Sequence, residues 1–315
     1  MKKTAILFPG QGSQYIGMGQ VFAENDSEAA QLFASGDRIA GLPIHKLCLE
    51  GPMADLTRVV ALQPALTVIN LICWQQLQKR LPDFVPACVA GHSLGEYSAL
   101  HAAGVLSQED TLKLVTKRGE LMDREGNANP GGMRAILGLS GEKVAQMVNE
   151  CQGRGQVVVA NYNTPAQVVV SGDDAGLSAL GELCKSEGAK VIPLKVSVAN
   201  HSPLVAGAVP DFSAFMQDIT FLAPKIPVIF NVTASSLDQP EDIKDVMAKQ
   251  IASPVRWVEV IEQMVDLGVE VFVELGPKNV LTGMMKKILP RKTTCVCLQA
   301  DTPETIEEVA ACIAG

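Results

Sequence analysis

The sequence predicts an α/β fold, with a large domain built on a mostly parallel sheet and a small second domain inserted into it. Short apolar runs alternate with amphipathic stretches, the pattern of strands and helices packed in layers. One apolar run, Ala87–Ala90, passes directly into Gly91-His92-Ser93-Leu94-Gly95 and then into a helical stretch. From 127 to 197 the texture changes to the order β-α-β-β-α-β. The large domain is therefore expected over 1–126 and 198–315, and the small one over 127–197.

Taken in order, Thr4–Phe8 reads as a buried strand ending in the loop Pro9-Gly10-Gln11-Gly12-Ser13-Gln14. Met1-Lys2-Lys3 before it gives the start the look of a secretion signal, but the apolar run stops at Pro9-Gly10, far short of a signal's apolar region. Pro64–Leu77 predicts a helix with its proline in the first turn, where a missing N–H is harmless. Ala87–Ala90 predicts a strand, Glu96–Ala103 a helix, and Gln108–Met122 a further helix capped by Ser107. Asn127–Gly132 is a Gly/Asn/Pro linker.

After the linker, Met133–Leu139 reads as strand and Gly141–Cys151 as helix. Val157–Asn161 and Val168–Ser171 read as strands, Ala175–Glu187 as helix, and Lys190–Ser197 as a last strand, completing a ferredoxin-like unit. Val228–Val232 and Val269–Glu274, apolar and β-branched, suit buried parallel strands of the large domain. A domain split by an insertion leaves a cleft at the junction, where ligands tend to bind.

Composition narrows the function. With 47% hydrophobic residues in 315, the chain can bury a sizeable core, and global disorder is excluded. Aromatics are 4%, too few for a surface that stacks bases or sugars, and a net charge of −8 without a long Lys/Arg run argues against a nucleic-acid partner. No apolar stretch reads as long and uncharged enough to cross a membrane. Eight cysteines, at 48, 73, 88, 151, 184, 295, 297 and 312, form no C-x-x-C and no metal-finger spacing. They read as reduced thiols of a cytoplasmic protein, with no metal site expected.

The chemistry concentrates at 91–95. Gly91-His92-Ser93-Leu94-Gly95 fits G-x-S-x-G, in which a sharp strand-to-helix turn presents the serine hydroxyl, as in hydrolase-like sheets. The helix that follows aims its free N–H groups at the same point, and the Leu94 amide is placed to stabilise an oxyanion. The loop Gly10-Gln11-Gly12 is a candidate source of a second amide. It is neither G-x-G-x-x-G, since Tyr15 stands at the third glycine, nor a P-loop.

A serine nucleophile needs a base, and the chain has four histidines. His92 adjoins Ser93 and its side chain diverges from it, while His101 lies eight residues along the helix, roughly 12 Å away by helical rise. His45 stays open by spacing. His201, at the return from the insertion and before Ser202-Pro203, sits where the cleft should be, in the nucleophile-then-histidine order. Arg118, on the helix after the elbow helix, gains a role if it points inward, where its planar fork suits a carboxylate.

These residues and others carry a resemblance over nearly the whole chain. Phe8-Pro9-Gly10-Gln11-Gly12-Ser13-Gln14, Gln63-Pro64-Ala65-Leu66, Gly91-His92-Ser93-Leu94-Gly95-Glu96 and Arg118-Gly119 stand in order. Asn161-Tyr162-Asn163-Thr164-Pro165, His201-Ser202-Pro203, Gln250 before Ser253-Pro254-Val255-Arg256-Trp257, and Glu274-Leu275-Gly276-Pro277 follow. The set resembles the malonyl-CoA:acyl-carrier-protein transacylases, which load fatty-acid and polyketide carrier proteins. The resemblance implies an acylated Ser93 and a base, His201, held by the Gln250 backbone carbonyl. It implies an oxyanion hole of the Gln11 and Leu94 amides, and Arg118 paired with the malonyl carboxylate. It further implies a ping-pong transfer from malonyl-CoA to a holo acyl carrier protein, with no cofactor; a cytoplasmic monomer is expected.

The chain departs from that pattern at three places. Asn200, before His201, stands at a position that helps sort malonyl from branched units in relatives, whereas Leu94 in the elbow favours malonyl. Arg134 replaces a small residue and is expected to face solvent. Lys278 replaces a glycine and reads as a surface change. Two basic clusters, Lys286, Lys287, Arg291 and Lys292, and Lys113 with Lys117, are candidate docking faces for an acidic carrier. The rival functions are an acyl-thioester hydrolase, the malonyltransferase subunit of a malonate decarboxylase, and a catalytically dead docking module.

Overall fold

The computed structural model describes residues 2–196, 198–290 and 292–315. Met1, Ser197 (the predicted end of both the last small-domain strand and that domain) and Arg291 of the first basic cluster lie outside the described residues. Eight strands run in chain order: β1 Thr4–Phe8, β2 Cys88–Gly91, β3 Gly132–Leu137, β4 Val157–Thr164, β5 Gln167–Gly172, β6 Lys190–Pro193, β7 Val271–Leu275 and β8 Val296–Ala300.

Four of them form a wholly parallel sheet in the order β2-β1-β7-β8. Every residue of β1, β2 and β7 is buried, which is why these segments read as unbroken apolar runs. One face, with Ile6, Phe8 and Val89, packs under the helix Val59–Arg80; the other, with Ala5, Leu7 and Ala90, packs on Trp257, Ile261 and Met264. The other four strands form a wholly antiparallel sheet in the order β4-β5-β3-β6. The helices Gly141–Glu150 and Asp174–Ser186 complete its βαββαβ unit and close a separate core of Ile136, Val144, Val168 and Leu180. β4 also grips the large domain at Val255: Val255 N–H donates to Ala160 O at 2.8 Å and Tyr162 N–H to Val255 O at 2.9 Å.

Four expectations need correction. The helix predicted over Pro64–Leu77 runs Val59–Arg80, so Pro64 lies inside it rather than in its first turn. Burial overrides the lost hydrogen bond there, since Gln63, Pro64, Ala65 and Leu66 are all core residues. The same helix is long and apolar enough to cross a membrane, contrary to expectation, but 83% of its most apolar window is buried inside the fold, where it serves as the central core helix. Gln108–Ala128 is one helix and takes up the start of the expected linker. Val228–Val232 is not a strand: it makes a single parallel bridge, Val228 to Val89, after which the Phe230 N–H turns to Ser235 O and the Asn231 N–H to Glu96.

Candidate active site

β2 ends at Gly91 and the helix Gly95–Ala102 begins four residues later, so the chain must reverse within His92–Leu94. Ser93 absorbs the turn at φ 51°, a left-handed conformation that L residues avoid. Both flanking glycines are required: a Cβ on Gly95 would collide with the Phe8 carbonyl, and one on Gly91 with the Gly95 backbone. Asn231 clamps the elbow from the side. Its Oδ1 accepts the Ser93 N–H at 2.7 Å and its Nδ2 donates to Gly91 O at 2.8 Å.

Ser93 Oγ lies 2.8 Å from His201 Nε2. His201 is buried, also at positive φ (57°), and its Nδ1 is 2.8 Å from the Ser253 carbonyl and 3.1 Å from that of Gln250. Two carbonyls accept at Nδ1, so the proton sits there and Nε2 is free to accept from Ser93. The resemblance put Gln250 alone in this role; Ser253 makes the shorter contact. Burial, then the positive Arg118, then hydrogen bonding to Ser253 set the His201 pKa, which falls to about 3. The imidazole is neutral at any physiological pH.

Arg118 points inward and is 2% exposed. Its Nη1 donates to Gln63 Oε1 at 2.9 Å, and its Nη2 to Gln250 Oε1 at 3.1 Å and to Ser93 Oγ at 3.2 Å. Among the described residues no carboxylate lies within ion-pair distance of it, and its Nε has no partner. Burial pushes its pKa down from the usual guanidinium value, so the site holds a desolvated cation with unspent donors beside the serine hydroxyl.

The Gln11 and Leu94 amides find no acceptor among the described residues. Their loops abut, since a Cβ added to Gly10 would lie 2.5 Å from His92 O and 3.6 Å from Leu94 N. Ser93 and His201 open onto a cavity of about 140 Å³, walled by Gln11, Asn200, Met133 and Met284 among others. Through Gln11, Leu194, Val196 and Asn200 it adjoins a wider one of about 380 Å³ flanked by Arg58 and Lys195.

The structure brings Ser93, His201, Arg118 and Gln250 into direct contact and places Gln11 and Leu94 beside them. It sets the other histidines apart: His45 stacks on Phe33, His101 Nδ1 faces Leu106 O, and His92 Nε2 bonds Asn163 Oδ1. Arg134 is half-buried, facing solvent only in part. Its Nη1 donates to Leu177 O at 2.8 Å, pinning β3 to the neighbouring helix. Lys278 is exposed as expected, at φ 61°, a left-handed conformation that a glycine would adopt without strain. Sequence reasoning missed Asn231, Gln63, Ser253 and Glu96 as parts of the site; Glu96, directly after the elbow, carried the plainest signal. No group of three His, Cys, Asp or Glu among the described residues is placed to hold a metal ion.

A serine hydroxyl bonded to a neutral imidazole on a strand-to-helix elbow, with two free amides alongside, defines a serine-dependent acyl-transfer enzyme. Residues 6–307 match the acyl transferase domain family. The malonyl CoA-acyl carrier protein transacylase of Bacillus subtilis (strain 168) is 40% identical over 311 residues, covering 98% of this chain and 96% of the relative. The crystal structure of an acyl carrier protein S-malonyltransferase from Vibrio cholerae superposes with a TM-score of 0.92 at 39% identity, covering 98% of this chain and 99% of that one. A malonyl-transacylase solved in complex with a type II PKS acyl-carrier protein gives a TM-score of 0.93 at 33% identity, with 98% and 99% covered. The chain belongs to the malonyl-CoA:acyl-carrier-protein transacylase family.

Proposed function

We propose that this enzyme moves a malonyl group from malonyl-CoA to the phosphopantetheine thiol of a holo acyl carrier protein, through an ester on Ser93. One observation carries the reading: the Ser93 hydroxyl is shared between the base, His201, and an unpaired buried cation, Arg118. A generic acyl chain has no use for that cation, and burying it without an anionic partner is costly. A malonyl carboxylate gives it one.

His201 Nε2 takes the Ser93 proton as Oγ attacks the thioester carbon. The oxyanion falls to the Gln11 and Leu94 amides. The carbon–sulfur bond breaks and His201 returns the proton to the leaving CoA sulfur. The carrier thiol then gives its proton to His201, attacks the acyl-serine and leaves as the new thioester, and Ser93 regains its proton. Reactant and product are both thioesters, so no ATP is consumed. The enzyme acts as a cytoplasmic monomer, with neither nucleic acid nor membrane as partner.

Intact-protein mass spectrometry tests this. After mixing with malonyl-CoA, the mass should rise by a malonyl group on Ser93, and addition of holo carrier should move that group to the carrier. Release as free malonate without a carrier would mean a hydrolase instead.

A further inference from the structure

We propose that Glu96 is a specificity-determining positioning residue: through the side chain of Gln250 it fixes the Arg118 guanidinium for an acyl group that carries a carboxylate. This deepens the reading of Arg118 given above and rests on it.

Glu96 is fully buried, one residue inside the helix that follows the elbow. One of its oxygens accepts the Asn231 N–H at 2.5 Å and the other accepts Gln250 Nε2 at 2.6 Å. The same Nε2 donates to Ser93 O at 2.7 Å, so both N–H groups of the Gln250 amide are spent on groups that only accept. The amide then has one orientation, with Oε1 toward Arg118 Nη2 at 3.1 Å. Only a carboxylate satisfies both donors that converge on residue 96. A glutamine there would turn its own NH₂ against either the Asn231 N–H or the Gln250 amide.

The spacing also suits the charge. Once ionised, above about pH 7, Glu96 counters Arg118 through the low dielectric of the core, but the Gln250 amide stands between them, so Arg118 is not neutralised by direct pairing. Its nearest acceptors, Gln63, Gln250 and Ser93, are all uncharged. The guanidinium is thus aimed and partly compensated, yet open to an incoming carboxylate.

The test is single-turnover acylation of Ser93, followed by intact mass, with malonyl-CoA and with acetyl-CoA. Wild type, Arg118→Ala, Glu96→Gln and Gln250→Met are compared. The last keeps side-chain volume and the backbone carbonyl facing His201 while cutting the link between Glu96 and Arg118, so it tests the idea even where Glu96→Gln does not fold. Arg118→Ala should lower the malonyl-to-acetyl rate ratio and so set the scale; Glu96→Gln and Gln250→Met should each lower it at least tenfold. A ratio held within twofold in the folded variants, or equal losses for both acyl groups, while Arg118→Ala still discriminates, overturns the role of Glu96 alone. A ratio unmoved by Arg118→Ala overturns the reading of Arg118, and this inference with it.

Discussion

Ser93 and His201, joined by a 2.8 Å hydrogen bond, are both non-glycine residues held at positive φ, 51° and 57°. Such conformations cost about 1–2 kcal/mol each and persist where the surroundings over-determine them. At Ser93 the surroundings are Asn231 on its amide and Gln250 on its carbonyl. At His201 the N–H is held by Ile251 O at 3.1 Å. The two strained residues are aimed at each other by backbone bonds from the same few segments.

Strain at the elbow is measurable as stability. Ser93→Ala removes the hydroxyl but keeps the Cβ and hence the strain; Ser93→Gly removes both. Glycine also adds unfolded-chain entropy, worth about 0.5–1 kcal/mol against it. The net expectation is that Ser93→Gly unfolds in urea about 0.5–1 kcal/mol later than Ser93→Ala, with neither variant acylated. A less stable glycine variant would show that the elbow is unstrained.

Arg118→Ala removes a charge-assisted contact from the malonyl complex. The malonyl kcat/KM should fall by roughly 2–4 kcal/mol, about 30- to 1000-fold, while acetyl transfer survives or improves. Steady-state transfer to a holo carrier with each acyl-CoA reads this directly. Equal losses for both donors would remove Arg118 from substrate recognition.

Much of this site was legible in the chain because its parts sit at punctuated places. Gly91 and Gly95 flag the elbow, and His201 follows from chain order once the elbow is placed; Arg118 stays conditional on pointing inward, and its role comes from the family resemblance. What holds those parts was harder to read. Asn231 lies at the end of an apolar run that looks like a strand, and nothing local in the run signals that its side chain bonds Gly91 and Ser93. Ser253 acts through its carbonyl, which every residue has. Glu96 looks like a favourable first-turn acid on a surface helix, and its complete burial depends on the packing of segments more than 130 residues away. In the fold, Pro64 misled the helix start, because tertiary burial outweighs the local rule that places proline in a first turn.

The pH dependence follows chiefly from three buried groups, His201 with one sign and Glu96 and Glu274 with the other. His201, lowered from 6.5 to about 3, is neutral in the folded state, so its contribution to stability is complete above pH 6.5 and is lost as pH falls toward 3. Glu96 and Glu274, both raised from 4.5 to about 7 chiefly by burial, contribute most below pH 4.5, and that contribution is lost as pH rises to 7. Between 4.5 and 6.5 the His201 slope offsets part of the two glutamate slopes; below 4.5 it has the same sign as that of the lowered Asp26 carboxyl. Urea unfolding of His201→Asn should therefore show stability falling from pH 4.5 to 7, where wild type is flatter. With acetyl-CoA as donor, acylation of wild-type Ser93 should show no inflection near pH 6.5. An inflection there would mean that the imidazole titrates as if exposed.

Of the two basic faces, the structure favours the one near the C-terminus for carrier docking. Lys113 is paired with Glu109 and Asp110, and Lys117 with Glu120, so that face is already balanced. Lys286 and Lys287 are exposed in the last turn of the helix Val280–Ile288, with no carboxylate within ion-pair distance among the described residues. The first residues of that helix, Val280 and Leu281, together with Met284, line the cavity at Ser93, so its last turn lies within one helix length of the site. Reversing both lysines, Lys286→Glu with Lys287→Glu, should raise the KM for holo carrier about tenfold at low salt and leave the KM for malonyl-CoA unchanged. The effect should shrink as salt screens it, since both charges are exposed. An unchanged carrier KM at low salt removes this face from docking, and a parallel rise for malonyl-CoA means that the lysines act on the shared cavity instead.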